Sequence, residues 1–367
     1  MASASNSITN HSNRKGVMSL KQFIHEERSF LLITFTLFLV ALVTYPMPDI
    51  ARWVGFLVAG YATVANDSIQ TIGTFIASNR NKPWWLLWLF IGGIFIVTMI
   101  YSWTTYGGDV SYGRLASKGF SQTPMAFSFL QVSAPIFLLI LTRFKMPVST
   151  TFLILTAFST SAKSVGQVLM KSLTGYGLAF GIAIVTWLLV SKLIEKYAKG
   201  PANPIWRIAQ WITTGILWSV WLMQDAANIA VYLPRELSGF QFLFFSMPIT
   251  LGLGFMLFKG GAKIQQVVEE KSRVQDVRSA TLIDFIYAII LFYFKLHSKI
   301  PMSTTWVFLG LLAGRELAMS LKNTSGLDVK SAFNMGLKDV TKAGIGLAIS
   351  FIIALGCNPT MRHALLG

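Results

Sequence analysis

The sequence predicts an all-α polytopic membrane protein, built as an inverted-topology repeat with two Ser-Thr-Thr helical hairpins. Three observations carry that expectation. Of 367 residues, 53% are hydrophobic and only 13% are charged, with a mean hydropathy of +0.58, whereas soluble domains carry about 25% charged residues. The charges gather between long apolar runs, and a bilayer-spanning helix needs about 20 mostly apolar residues. Two short polar signatures also recur, in the same order, in the two halves of the chain.

The apolar runs lie at 29–46, 51–77, 84–106, 124–144, 148–170, 175–194, 206–232, 239–258, 280–297, 302–320 and 340–357, eleven crossings if each spans. Those beginning at Val148 and Met302 contain Ser, Thr, Lys or Arg, a composition that also suits re-entrant segments. Gly and Pro inside a run do not end a membrane helix. Run length argues against a membrane β-barrel, whose strands alternate over about 10 residues.

Residues 1–28 are rich in Ser and Asn, then in mixed charge, and are expected to form a flexible cytoplasmic tail. Residues 29–50 then hold an extra N-terminal helix, 51–200 and 201–357 the two repeats, and 358–367 a C-terminal tail. With the N-terminus inside, most of the 31 Lys and Arg fall on inside segments, as the cytoplasmic bias of basic loops requires. The expected location is the plasma (inner) membrane, with lipid around the helices. The same bias accounts for a net charge of +16 without a nucleic-acid partner. One cysteine, Cys357, excludes an internal disulfide, and four scattered histidines offer no zinc site.

The repeat is the most specific signal. Asn66-Asp67-Ser68-Ile69-Gln70 is followed by Pro147-Val148-Ser149-Thr150-Thr151, and Gln224-Asp225-Ala226-Ala227-Asn228 by Pro301-Met302-Ser303-Thr304-Thr305. The Asp-to-Pro spacing is 80 residues in one half and 76 in the other. Counting crossings, the run from 51 travels out-to-in and the run from 206 in-to-out, the opposed arrangement of secondary transporters built from inverted repeats.

Asp67 and Asp225 lie deep in apolar runs. A mid-bilayer charge costs at least about 2.5–3.5 kcal/mol on insertion scales, so it needs partners or a wet cavity. One isolated Asp reads simply as a protonated group bonded to a neighbouring helix. Two at matching positions, each flanked by carboxamides, read better as cation ligands. Asn66, Asp67, Gln224 and Asp225 supply the oxygens a hard ion such as sodium takes, with Gln70 and Asn228 one turn away. The polar stretch also favours local unwinding, which would free backbone carbonyls.

The Pro-x-Ser-Thr-Thr elements suit an oxyanion. Proline sits naturally at a helix start, and the hydroxyls of Ser149, Thr150, Thr151, Ser303, Thr304 and Thr305, with free N–H groups, converge where the helix dipole favours negative charge. Ordinary capping by Ser or Thr is the plainer reading of either copy alone. No Arg or Lys beside the motifs demands an ion pair, so bound cations would offset the charge of the anion. Gly107-Gly108-Asp109 reads as a turn, Trp84, Trp85, Trp103, Tyr106 and Trp206 as interface anchors, and Arg315-Glu316 as a helix-surface ion pair.

With those residues in place, the chain resembles the inorganic phosphate transporter (PiT) family, which carries an Ala-Asn-Asp-x-x-Asn-like signature and a Pro-x-Ser-Thr-Thr element in each half. Ala65-Asn66-Asp67 and Pro147-x-Ser149-Thr150-Thr151 match the first half; Asp225-x-x-Asn228 and Pro301-x-Ser303-Thr304-Thr305 match the second. The likeness spans residues 51–357 in organisation and about 20 residues as motifs. Gln70 and Gln224 stand where the signatures usually have Asn, and Phe152 and Trp306 where a His often follows Thr-Thr.

The resemblance implies a carrier, not an enzyme, that binds phosphate at the hydroxyl tips and the nearby Gln70 and Asn228, and couples it to sodium ions or protons. It implies no organic cofactor. Sulfate, a tetrahedral anion of similar size, is the alternative substrate. A passive anion channel or a transporter-like sensor is a further reading, and a homodimer is a possible assembly. Two buried carboxylates also invite comparison with an intramembrane aspartyl protease, but a Gly-x-Gly-Asp setting is missing and the hydroxyl elements would be unexplained.

Overall fold

The computed structural model describes residues 20–116, 120–144, 146, 148–159, 162–197, 201–260, 276–297, 302–323, 327–359 and 362–363. Twelve α-helices and no strand occur among them. In chain order they are α1 (Leu20–Thr44), α2 (Pro48–Thr63), α3 (Ile69–Ser78), α4 (Trp84–Thr105), α5 (Phe129–Arg143), α6 (Thr150–Leu153), α7 (Ala162–Tyr197), α8 (Pro204–Ala230), α9 (Gly239–Phe258), α10 (Val277–His297), α11 (Thr304–Leu321) and α12 (Val329–Cys357). A π-helical turn, Val64–Ser68, joins α2 to α3.

The helix starts follow from local chemistry. Pro48 and Pro204 open α2 and α8, where a missing N–H costs nothing. Ser128 with Gln131, and Ser238 with Gln241, form reciprocal capping boxes at α5 and α9. Six helical segments, in α1, α4, α7, α9, α10 and α12, are long and apolar enough to cross a membrane. Their outer faces carry Leu32, Phe35, Leu251 and Phe255, all exposed, as lipid contact requires. α8 is as long but carries buried Gln210, Gln224, Asp225 and Asn228, and packs against α4 and α10.

The tightest helix pair is α7 with α11. A Cβ at Gly310 would stand 2.4 Å from the Tyr176 carbonyl oxygen, and one at Gly314 2.3 Å from that of Phe180. Two glycines four apart let the backbones meet, the small-residue route to helix association in lipid. α4 and α9 are joined by the Trp88 indole N–H, which donates to the Thr250 carbonyl at 2.9 Å.

Two sequence expectations change here. The runs at 148–170 and 175–194 are not two crossings. α6 spans four residues and passes into a short 3₁₀ segment, Leu155–Phe158, which ends at Ser159 in extended backbone. The chain then runs through Thr174-Gly175 as the single 36-residue α7. Gly175 is tolerated there because it faces the Val307 side chain on α11. At the other end, α1 starts at Leu20, upstream of the apolar run at 29. Residues 1–19, most of the expected tail, lie outside the described residues, as do Pro147, Pro301 and 261–275.

Candidate ion and anion site

The two polar signatures sit on the π-turn with the start of α3, and on the last two turns of α8. All twelve residues singled out above are buried, none more than 6% exposed: Asn66, Asp67, Gln70, Ser149, Thr150, Thr151, Gln224, Asp225, Asn228, Ser303, Thr304 and Thr305. Unwinding is not what frees oxygens here. In the first half the helix widens into a π-turn, a local irregularity frequent at functional sites. In the second, α8 runs unbroken to Ala230.

The first cluster closes on the first hydroxyl tip. The Asn66 side-chain amide donates to Asp67 and, at 3.0 Å, to the Val148 carbonyl. The Thr150 hydroxyl donates to the other Asp67 oxygen. Gln70 Nε2 donates to Asn66 Oδ1 at 3.2 Å. In the second cluster, Asn228 donates to Asp225 Oδ1 at 2.6 Å and Gln224 to the Leu291 carbonyl at 2.9 Å. Thr304 faces Asp225 and accepts the Trp221 indole N–H at 3.2 Å. The halves meet where Thr151 donates to the Met302 carbonyl at 3.1 Å, and Asp67 and Asp225 lie close enough for their charges to repel.

Capping does occur at both tips. Ser149 accepts the Phe152 N–H and Ser303 the Trp306 N–H, each at 3.3 Å. A serine capping as acceptor still has its own proton to donate. The tips differ in one respect: α11 is 18 residues long and carries a helix dipole, whereas the four-residue α6 contributes little of one.

Four buried oxygens here have no hydrogen-bond donor: Gln70 Oε1, Gln224 Oε1, Asp225 Oδ2 and Asn228 Oδ1. A buried acceptor left unmade costs about 1–3 kcal/mol. Carboxylate and carboxamide oxygens of this kind, on the two signatures that carry Asp67 and Asp225, are what a hard cation satisfies. A small cavity of about 20 Å³ borders Asp225, Thr63 and Ser68, enough for one water-sized occupant.

Sequence reasoning missed three neighbours. Arg114, in the loop after α4, is 2% exposed, donates through Nε to the Met223 carbonyl at 2.7 Å and interacts electrostatically with Asp225. Burial lowers its pKa to about 10, which leaves it charged at pH 7. Folding thus returns a distant loop to α8 and sets a basic group beside the second acid signature, a placement no local pattern shows. Lys171 on α7 lies near Arg114. Asp284 on α10 accepts from Thr74 on α3 and Thr214 on α8; as a lone acid within the 280–297 run, it had the same signal as Asp67. Arg315 and Glu316 pair at 2.6 Å, buried, with the Arg315 guanidinium 5.7 Å from the Trp187 ring centre.

Fold and site together define an all-α polytopic membrane protein with a polar centre enclosed by apolar helices. No family model matches the chain, and no curated protein matches it in sequence. A solved structure described as "The sodium-dependent phosphate transporter" is similar in fold, with a TM-score of 0.61 at 16% identity over 87% of this chain and 99% of its own.

Proposed function

We propose that the protein is a secondary active transporter that moves inorganic phosphate with sodium ions by alternating access, its two halves acting as inverted repeats with the N-terminus on the cytoplasmic side of the plasma membrane. The observation that carries this reading is that four buried oxygens of the two acid signatures, on Gln70, Gln224, Asp225 and Asn228, have no donor. Carboxylate and carboxamide oxygens would take up sodium ions, relieving the repulsion between the two acids. The hydroxyls of Ser149, Thr150, Thr151, Ser303, Thr304 and Thr305 would then donate to the oxygens of the anion, Thr150 and Thr151 giving up their bonds to Asp67 and the Met302 carbonyl to do so. Anion and cations offset each other only when bound together, which is the physical basis of obligatory coupling. The solved sodium-dependent phosphate transporter of similar fold supports the same assignment.

Uptake of radiolabelled phosphate into proteoliposomes, with and without a sodium gradient and in competition with sulfate, tests it. Sodium-driven phosphate uptake that sulfate does not suppress is the expected result. Preference for sulfate would reassign the substrate, and acceleration by a pH gradient in place of sodium would reassign the coupling ion. Phosphate flux that follows only its own gradient would make the protein a channel and end the carrier reading.

A further inference from the structure

Three basic side chains converge on the second half of the site from three different elements. Arg114 comes from the loop after α4, Lys171 from α7 and Lys295 from the end of α10. Each is tied within a residue or two of a group already placed at the site. The Arg114 Nε bonds the Met223 carbonyl, the residue before Gln224-Asp225, at 2.7 Å. The Lys295 ammonium stands 5.7 Å from the ring centre of Tyr112, two residues from Arg114. The Lys171 ammonium stands 5.8 Å from the ring centre of Phe294, which precedes Lys295. Ser172, next to Lys171, accepts the Ser303 N–H of the second hydroxyl tip at 2.8 Å.

The loop that carries Arg114 is rigidly built. Asp109 accepts from the Ser111 N–H at 2.7 Å, the Ser111 hydroxyl at 2.8 Å and the Gly113 N–H at 2.9 Å. Tyr112 donates to the Thr98 carbonyl at 2.6 Å, and Tyr112 and Gly113 both adopt left-handed backbone, with φ of 56° and 69°. A non-glycine residue in that region is held there by its surroundings. The exposure is graded: Lys295 and Lys171 are half-buried, whereas Arg114 is buried, its Nε on the Met223 carbonyl. Cations brought to one side of the site from three elements attract an anion, and low-dielectric walls strengthen that attraction.

We propose that Arg114, Lys171 and Lys295 form an anion-docking site ahead of the hydroxyl tips, which takes a doubly charged tetrahedral oxyanion, phosphate or sulfate, before the Ser-Thr-Thr elements receive it. This rests on the carrier reading above and adds a second station to it. The lysines draw the anion in by charge, and the planar Arg114 guanidinium, whose fork matches tetrahedral oxyanions, is anchored through Nε to the Met223 carbonyl, two residues before Asp225. The site acts on capture of the anion, leaving the sodium ligands and the transport step unaltered.

The test uses the full-length protein, in proteoliposomes for initial rates of phosphate uptake and in detergent for equilibrium binding of radiolabelled phosphate. Sodium is held fixed, and ionic strength is varied with choline chloride. In the double variant Lys171→Gln, Lys295→Gln, the half-saturating phosphate concentration is expected to rise about 5- to 10-fold at low ionic strength, from the steering that such charges supply. The maximal rate should stay within about twofold, and the salt dependence seen in the parent should flatten, because screening removes the same contribution. Lys171→Arg with Lys295→Arg should restore the parental values. Arg114→Gln removes a buried hydrogen bond and can compromise folding, so the lysine pair carries the decision and Arg114→Lys supplements it.

A double variant that transports with unchanged half-saturation and unchanged salt dependence overturns the docking site and leaves the carrier reading intact. A parent protein that binds phosphate without moving it overturns the carrier reading, and the binding measurement then still decides the docking site. A parent that binds neither phosphate nor sulfate overturns both.

Discussion

Asp225→Asn is the most direct perturbation of the proposed coupling, because the substitution keeps shape and changes only charge and donor pattern. Asp225 Oδ1 accepts from Asn228 at 2.6 Å, while Oδ2 is buried without a donor. An asparagine at 225 would turn its oxygen toward Asn228 and its NH₂ toward the position of the donorless oxygen. A cation ligand is thereby replaced by a group that repels cations. Contacts to a charged group are worth about 1.5–3 kcal/mol, and 1.4 kcal/mol is a factor of ten, so the sodium concentration for half-maximal uptake should rise about 10- to 100-fold. The assay is phosphate uptake into proteoliposomes against sodium concentration, at constant ionic strength. Asp67→Asn should behave differently. Both Asp67 oxygens are already engaged, one by Asn66 and the other by the Thr150 hydroxyl, so Asp67→Asn should raise the sodium requirement less than Asp225→Asn does. Wild-type sodium dependence in both variants would refute the assignment of the acids as cation ligands.

Two further predictions concern the scaffold. Gly314→Ala places a Cβ 2.3 Å from the Phe180 carbonyl oxygen and 3.0 Å from the Ala183 methyl; overpacking of this kind costs about 1–3 kcal/mol. A lower thermal midpoint in detergent is expected, with no change for Gly177→Ala on α7, where nothing lies within 4 Å. At the start of α10, the Arg278 side chain beside Asp276 holds its carboxyl below the ordinary range. A depressed folded pKa gives stability that is present above the unfolded value and lost as pH falls through the folded one. Asp276→Asn should therefore lower the thermal midpoint at pH 7, and the difference from the parent should shrink below about pH 4.

The fold class was legible because lipid imposes a simple code: long uncharged stretches can only be helices. The same code misread the region after Ser149. Hydropathy cannot separate two crossings from a short helix followed by one 36-residue helix, since both present apolar residues at similar density. What decides is the extended backbone at Ser159 and the fit of Gly175 against Val307, and these depend on α11 and α12 being in place. Asn358 at the far end of α12 donates to the Ser159 carbonyl, a contact 199 residues away in sequence that no local pattern encodes.

The acids, amides and hydroxyls of the candidate site stood out in the sequence because they recur in matching order and at matching spacing in the two halves. Groups that occur in only one half lack that signal. Arg114 sits in a polar loop, where an arginine is unremarked in sequence, and it acquires significance only when the chain folds that loop against Met223. Asp284 stood alone in an apolar run, yet without a counterpart in the first half it escaped a reading built on symmetry. The asymmetry extends to the helices themselves. The first acid lies on a π-turn and bonds its hydroxyl tip, whereas the second lies on a regular helix and keeps an oxygen without a donor. The two signatures, alike in sequence, therefore present their oxygens differently. The second, with its open oxygen and nearby arginine, is the one that has most to gain from binding a cation and an anion together.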